Sequence, residues 1–301
     1  MAPPPYRLLR RRSLSPLVIT CEHASRRLPA GIPRTGLAEL LACHRGWDIG
    51  VWEVAREVSR RLAATAIGGR YSRLFVDLNR DPSDPTLMLT EVDGRPVPIN
   101  RRLTPREAGR RVRLAHAPYH AEIDRQMARR SAARVSPLLI SFHSFTPVLN
   151  PARRRFDVGV LFADHAPLAR RLGAALVRQG FSLRFNRPYS GLEGLIYAAA
   201  RHGSFHRVPY LELEFNQKLL GTPPRCRIVG ARAAGAIAEI LAEVRAEAIR
   251  IGRTTARGDR IRPRAEEILV ALPWAGTRGR ASGSLRGPPP RTPSRTGSAG
   301  R

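Results

Sequence analysis

Short apolar runs alternate with helical patterns along most of this chain, and that alternation limits the fold more than any other feature. Residues 17–20 are such a run, and they end abruptly at Cys21-Glu22-His23, as a buried strand does at its carboxyl end. Residues 51–62 then repeat apolar side chains at helical spacing. Strands that alternate with helices predict an α/β fold, a three-layer sandwich around a mainly parallel mixed sheet.

The same patterns predict the remaining elements. Predicted strands are residues 17–20, 73–79, 137–145, 157–164, 181–186 and 208–215. Predicted helices are residues 51–62, 104–132, 166–179, 195–201 and 231–250. Thr104 and Pro105 have the residue types of a helix start, and Pro118 predicts a kink or a break inside that helix.

The composition changes near both ends of the chain. Residues 1–14 are predicted to be a basic segment, and residues 15–250 a single globular domain. Residues 251–301 are rich in Arg, Pro, Gly and Ser, and they predict a disordered tail. No apolar run approaches the roughly 20 residues that span a bilayer, and no secretory signal is recognisable at the start, so we expect a cytoplasmic protein without a membrane partner.

A formal net charge of +28 suggests a nucleic-acid-binding protein as one interpretation. Against it, Lys218 is the single lysine among 52 basic residues, and a preference for arginine of this kind is typical of GC-rich coding sequence. The positive charge is also spread along the chain without interleaved aromatic residues. We therefore expect no specific nucleic-acid partner.

Polar residues at the ends of the predicted strands indicate a metal site. His23 follows the first strand and His143 lies in the third, and ligands of open α/β sheets bind at the carboxyl ends of strands. Two histidines and a carboxylate are the ligands of a catalytic zinc site. Asp48 is the predicted third ligand, on the inward face of the first helix; a helix cap is the alternative for Asp48, and His44 is the alternative ligand.

Two carboxylates share one face of the last predicted strand, because strand side chains alternate. Glu214 is nearer the carboxyl end and is the predicted general base, while Glu212 is predicted to pair with an arginine. Glu22 points away from His23 on an extended chain, so it is predicted to orient the loop or to support the metal site indirectly.

Residues that suit a carboxylate-bearing substrate follow the predicted strand 73–79. Arg80 and Asn79 are predicted to bind the substrate carboxylate, since guanidinium groups bind carboxylates bidentately. Arg73 is a further candidate, with a buried ion pair to Asp77 as its alternative role. His120 is predicted either to donate a proton to the oxyanion or leaving amine, or to pack between helices.

Seven ordered blocks of sequence resemble the N-formylglutamate amidohydrolase family. They are CEHAS (21–25), HRGWDIG (44–50), YSRLFVDLNR (71–80), APYHAEID (117–124), ISFHSF (140–145), NRPYSG (186–191) and LEFNQKLL (213–220). The resemblance implies the phosphorylase/hydrolase-like fold of zinc carboxypeptidases and amidases. It also implies one Zn²⁺ held by His23, His143 and a carboxylate, with Glu214 as the base, and it adds Asn186 as a substrate-binding candidate.

The chain departs from the family pattern near the expected substrate contacts. Asn216 stands where an arginine is usual, Lys218 where an acid is usual, and Arg26 where an asparagine is common. The expected function is hydrolysis of the amide bond of an N-formyl or other N-acyl amino acid, such as N-formylglutamate. A zinc peptidase or cell-wall-type amidase on the same fold is the nearer alternative, and a basic nucleic-acid-binding protein with a degenerate site is the more remote one.

Overall fold

A mixed sheet forms the centre of the computed structural model, which describes residues 3–149 and 151–255. The strands in chain order are β1 (Tyr6–Leu9), β2 (Leu17–Cys21), β3 (Thr65–Gly69), β4 (Glu91–Val92), β5 (Arg95–Pro96), β6 (Leu138–Phe145), β7 (Val148–Leu149), β8 (Ala152–Arg153), β9 (Val158–Leu161), β10 (Leu183–Phe185) and β11 (Tyr210–Asn216). The α-helices are α1 (Ala38–Ala42), α2 (Val51–Leu62), α3 (Pro105–Arg111), α4 (Ala117–Ala132), α5 (Ala166–Arg178), α6 (Tyr197–His206) and α7 (Pro223–Thr255).

Seven of the described strands form the main sheet in the order β1-β3-β2-β6-β11-β9-β10. The central strands β3, β2, β6 and β11 are parallel to one another. Strand β1 is antiparallel to β3, and β9 is antiparallel to β11. From β2 the chain continues to β3 on one side and later to β6 on the other, which makes the carboxyl ends of β2 and β6 a topological switch point, where ligands bind in such sheets.

Helices cover both faces of the sheet and give the predicted three-layer sandwich. One face packs on α2, α5 and α7 through a large apolar core that includes Val54, Leu172 and Ile237. The other face packs on α4 and α6, through a core that includes Tyr119 and Ile123. The predicted α/β class with a mainly parallel mixed sheet is therefore confirmed.

The second predicted strand, residues 73–79, is wrong. The strand beside β2 is β3, and residues 72–79 form a turn and loop in which the Phe75 amide donates to the Ser72 carbonyl over 2.9 Å. The run is apolar because this loop is buried, with Leu74, Phe75 and Val76 almost inaccessible to solvent. Burial without pairing gives the same apolar signal as a central strand.

The long predicted helix 104–132 is interrupted, as Pro118 indicates. Thr104 caps α3 in a capping box with Glu107, as its residue type predicts. A π-helical turn at Val112–His116 separates α3 from α4. This turn lets the chain pass the proline, which has no backbone N–H.

Both predicted ends of the domain can be compared with the described residues. Within the predicted basic segment 1–14, Tyr6–Leu9 pairs with β3 as an edge strand of the main sheet. The last helix begins at Pro223, earlier than predicted, and is described to Thr255. The rest of the predicted tail lies outside the described residues. Among the described helices, none combines the length and apolar character needed to cross a bilayer.

Candidate active site

Three neighbouring parallel strands turn the same face toward the switch point. On β6 and β11 the register pairs Ser141 with Glu212 and His143 with Glu214. Glu22 follows the end of β2 on the same face. These side chains lie beyond the apolar part of that face, so the strands bring polar groups together at their carboxyl ends.

Asp48 reaches the rim formed by the carboxyl ends of these strands. It does so from a turn, and not from the face of α2 or from the N-cap of that helix. The helix begins at Val51 with Gly50 as its N-cap. The Asp48 amide donates to the His23 carbonyl over 3.0 Å, which ties the turn to the end of β2. The predicted proximity of Asp48 to the histidines is present, but the backbone bond between two loops produces it.

The Asp48 carboxylate lies between the two histidine rings. Its Oδ2 is 2.9 Å from His143 Nδ1, and its Oδ1 is 3.6 Å from His23 Nδ1. Ser144 N–H also donates to Oδ2 over 3.1 Å. The three side chains are buried and their ligand atoms lie within 4.8 Å of one another. His44, the alternative third ligand, lines the nearby cavity but is outside this group.

Each histidine has a second carboxylate on its other ring nitrogen. His23 Nε2 is 2.6 Å from Asp77 Oδ1, and His143 Nε2 is 2.9 Å from Glu22 Oε2. Such carboxylates fix the tautomer so that the remaining nitrogen is free to bind a metal. The supporting role predicted for Glu22 therefore has a definite partner, His143.

These supporting carboxylates are ionised although they are buried. Burial favours the neutral form of Glu22, but hydrogen bonds from His143 and Ser141 outweigh it and lower its pKa to about 2. For Asp77, Arg73 and His23 likewise overcome burial and hold its pKa well below the ordinary range. Arg73 donates Nη2–H to Asp77 Oδ2 over 2.7 Å, which is the ion pair considered as its alternative role.

Glu212 and Glu214 have carboxylate oxygens without a partner. Oε2 of each is buried and makes no hydrogen bond within the described residues. Burial raises the pKa of Glu212 to about 7 and that of Glu214 well above its ordinary range, against the opposing charge of His143. The arginine partner predicted for Glu212 is wrong, since its nearest charged neighbour is His143 Nε2 at 3.5 Å.

The charge balance of this rim suits a divalent cation. Five buried carboxyl groups face two imidazoles and one guanidinium; they are Glu22, Asp48, Asp77, Glu212 and Glu214. His23 Nδ1 is buried and has no hydrogen-bond partner, although it faces Asp48. A metal bound to two imidazole nitrogens and a carboxylate would satisfy that nitrogen and offset the excess negative charge. The donor set therefore fits zinc.

A cavity of about 340 Å³ opens onto these residues. It is lined by His23, His44, Arg45, Asp48, Arg73, Leu74, Asp77, Asn79, Arg80, Thr86, Leu89, Val92, His143, Ser144, Phe145, Thr146, Tyr189, Leu195, Glu212 and Glu214. Of the predicted substrate-binding residues, Arg80, Asn79 and Arg73 are in this wall. The Asn79 Oδ1 accepts from the Ala198 amide near the start of α6, so that atom is already engaged.

The loop that follows β10 brings Tyr189 to the cavity. Gly159 on β9 permits its close approach, because a Cβ there would lie 2.0 Å from the Arg187 carbonyl oxygen. Asn186 stays outside the cavity lining: its Oδ1 accepts from the amides of Phe162 and Gly191, over 3.0 and 3.2 Å. The structure thus gives Asn186 Oδ1 a role in shaping the loop, and a substrate contact of this residue stays a prediction.

His120 also lies away from the cavity. Its Nε2 is 3.0 Å from the Leu78 carbonyl oxygen, and its Nδ1 is 2.8 Å from His202 Nε2. Both ring nitrogens are therefore engaged among buried groups between α4 and α6. The packing role corresponds to this position, and the predicted contact with the reacting groups does not.

Comparison with known proteins identifies the family. A profile described as N-formylglutamate amidohydrolase matches residues 15–220, which are 206 of the 301 residues. The chain belongs to the N-formylglutamate amidohydrolase family. The resemblance inferred from the seven sequence blocks is confirmed.

Individual relatives agree with this membership. An N-formylglutamate deformylase of Pseudomonas aeruginosa is 29% identical over 201 residues, which are 60% of this chain and 74% of the relative. A solved gene product of Agrobacterium tumefaciens has 26% identity and a TM-score of 0.76, covering 81% of this chain and 97% of that one. An N-formylglutamate amidohydrolase from Ralstonia eutropha shares the fold, with a TM-score of 0.59, 19% identity, and coverage of 84% and 99%.

Proposed function

We propose that this member of the family is a metal-dependent amidohydrolase that cleaves N-formylglutamate, or a closely related N-acyl amino acid, to the carboxylic acid and the free amino acid. One observation carries the proposal. The donor atoms of His23, Asp48 and His143 meet in a buried, acidic rim, directly beside the unpaired carboxyl of Glu214. The Pseudomonas relative, named as a deformylase of this compound, supports the choice of substrate.

His23, Asp48 and His143 would hold the metal, and zinc is the ion that their donor types favour. Bound there, the ion would supply Lewis-acid chemistry: polarisation of the amide carbonyl and a lower pKa of water. Glu22 and Asp77 keep the outer nitrogens of the two rings occupied, so both rings present Nδ1 inward.

Glu214 moves the proton in the proposed reaction. Its free Oε2 accepts a proton from the attacking water and returns it to the amine nitrogen as the C–N bond breaks. Burial raises its pKa, which favours the step in which the protonated carboxyl gives its proton to the leaving amine.

The cavity favours a small anionic substrate. Its volume of about 340 Å³ is at the small end of the range of roughly 300–1,000 Å³ for small-molecule sites. Arg80 lies in its wall with a loose carboxylate contact, 3.6 Å to Asp84, so its guanidinium is the one we assign to the substrate carboxylate. Arg73, which Asp77 holds tightly, supplies positive charge close by.

The test measures bound metal and the release of formate or amine over a panel of N-acyl amino acids and short peptides. We expect bound zinc, and the fastest release from N-formylglutamate. Glu193→Gln, in an exposed loop, is the control for Glu214→Gln. Absence of bound metal from the wild-type protein, or wild-type activity in Glu214→Gln, would overturn the mechanism. A preference for peptides would favour the peptidase or amidase alternative.

A further inference from the structure

A second group of metal-binding side chains lies between α4 and α6, away from the cavity. Asp124 on α4 faces His202 and His206, which are one turn apart on α6. Asp124 Oδ1 is 2.7 Å from His202 Nδ1 and 2.9 Å from His206 Nε2. The three ligand atoms lie within 4.8 Å of one another. We refer to Asp124, His202 and His206 as the helix site.

We propose that the helix site binds a divalent transition metal ion of the zinc type. The ligands would be His202 Nδ1, His206 Nε2 and the Asp124 carboxylate. Imidazole nitrogens with one carboxylate oxygen are the donors such ions prefer. Two histidines four residues apart on one helix face present their rings to the same point.

The hydrogen bonds behind His202 favour this assignment. His202 Nε2 is 2.8 Å from His120 Nδ1, and His120 Nε2 is 3.0 Å from the Leu78 carbonyl oxygen. Apart from the contacts of Arg201 Nη1 with His202, the path from the Leu78 carbonyl to Asp124 makes three contacts through two rings. Each of these three contacts needs its own proton. Two neutral imidazoles carry only two ring protons, so the arrangement requires one extra positive charge.

A metal ion supplies that charge without an extra proton. When the ion replaces the proton on His202 Nδ1, His202 Nε2–H donates to His120 and His120 Nε2–H donates to Leu78. Both rings are then neutral, and these three contacts are satisfied once Arg201 has left His202. Both rings are buried, so an extra charge on either of them without a compensating partner is costly. His120 thus has the position of a group that orients a metal-ligating histidine.

Arg201 is the competing cation. Its Nη1 is 3.7 Å from Asp124 Oδ2 and 3.1 Å from His202 Nε2. The Arg201 side chain is 41% exposed, so it can move into solvent when an ion enters. Removing this guanidinium is therefore expected to strengthen metal binding, whereas removing a ligand should abolish it.

The experiment titrates Zn²⁺ into the full-length, metal-free protein and counts bound ions by elemental analysis. We expect two ions per chain for the wild type, and one each for His206→Ala and His23→Ala. His165→Ala, a histidine substitution outside both sites, should still bind two. Arg201→Met should bind the second ion more tightly, and His120→Asn about 10–100-fold more weakly.

Thermal unfolding gives a second readout that does not depend on activity. Zn²⁺ should raise the Tm of His23→Ala and leave that of the His23→Ala/His206→Ala pair unchanged. Asp124→Asn replaces His206→Ala if that variant does not fold. Wild-type stoichiometry in both helix-site variants would overturn the proposal. If the wild type binds only one ion and His23→Ala loses it, the proposal is also overturned. If the wild type binds only one ion and only the helix-site variants lose it, the helix site is supported and metal binding at the proposed active site is contradicted.

Discussion

Histidines meet acidic residues in two regions of this molecule, and the two regions differ in their charge balance. At the sheet ends, five buried carboxyl groups surround His23, His143 and Arg73. In the helix site, Asp124 is the one carboxylate among the described residues within ion-pair distance of His202, His206 and the neighbouring Arg201. The first region has an excess of negative charge and the second an excess of potential positive charge.

The comparison shows that ligand type alone does not determine how strongly a site attracts a metal. Both groups bring imidazole nitrogens and a carboxylate within 4.8 Å. A cation at the sheet ends offsets charges that are costly to bury, while a cation in the helix site must displace Arg201. We therefore expect the proposed metal site at the sheet ends, formed by His23, Asp48 and His143 and called the sheet-end site below, to bind zinc more tightly than the helix site.

The largest effect should come from Glu214→Gln. This variant distinguishes the two regions, because the helix site has no unpaired carboxyl that could act as a general base. The amide cannot accept the proton of the attacking water, so kcat should fall by about 10²–10⁴-fold. Bound zinc should remain, because Glu214 is not one of the proposed ligands. Steady-state kinetics and metal analysis measure the two quantities, with Glu193→Gln as the control; a variant that loses its metal would contradict the assigned role.

Glu22→Gln tests whether the acidic region also stabilises the fold through its ionised carboxylates. The pKa of Glu22 is lowered from an ordinary 4.5 to about 2 in the folded protein. Its contribution is therefore complete above pH 4.5 and is lost as the pH falls toward 2. A shift of this size corresponds to about 3 kcal/mol of unfolding free energy.

Urea unfolding of the metal-free protein at a series of pH values measures this difference. Wild type should be more stable than Glu22→Gln at pH 6, and the gap should narrow below pH 4.5. Glu193→Gln, with its side chain in an exposed loop, provides the reference. A gap that stays constant with pH would mean that Glu22 acts through packing and not through its charge.

Asp77→Asn is expected to weaken zinc binding at the sheet ends by about 10–100-fold. The neutral amide orients His23 less firmly and gives less negative charge to the ring. Asp81→Asn, in the exposed part of the same loop, is the matched control. Competition with a chelator measures the zinc affinities. Equal affinities for the two variants would mean that Asp77 does not support metal binding through His23.

The smallest effect on catalysis is expected for His120→Asn, a substitution that changes the surroundings of the helix site and not those of the cavity. His120 contacts His202 and the Leu78 carbonyl but does not line the cavity, so kcat and KM should stay close to wild type. Stability should decrease because a buried ring is lost. Steady-state kinetics of His120→Asn and Glu214→Gln are measured side by side. A loss of kcat comparable to that of Glu214→Gln would mean that His120 takes part in catalysis.

Strand-end reasoning from the sequence singled out His23, His143 and Glu214, which lie close together in the structure, and this proximity has a physical cause. His23, His143 and Glu214 lie on or directly after parallel strands, whose carboxyl ends meet at one edge whatever the details of packing. Alternation along β11 likewise separated Glu214 from its apolar neighbours. Such regularities of strand geometry are local, so they can be predicted from sequence.

Contacts that depend on buried loops and on the packing of helices could not be predicted in this way. The loop 72–79 has the composition of a strand, and its position sets the contact of Asp77 with His23. Asp48 was predicted on a helix face, but a backbone bond between two turns positions it. The approach of α4 to α6, and with it the helix site, leaves no periodic signal in the sequence.

The strand order has a consequence for how the active site forms during synthesis. The ribosome produces Glu22, His23, Asp48 and Asp77 well before β6, since His143 follows its partner Asp48 by 95 residues. Until β6 inserts beside β2, Glu22 and Asp48 lack the His143 imidazole that contacts both of them in the folded protein. We expect the proposed metal to bind the nascent chain only after the centre of the sheet has closed, so metal binding would report late folding and not early folding.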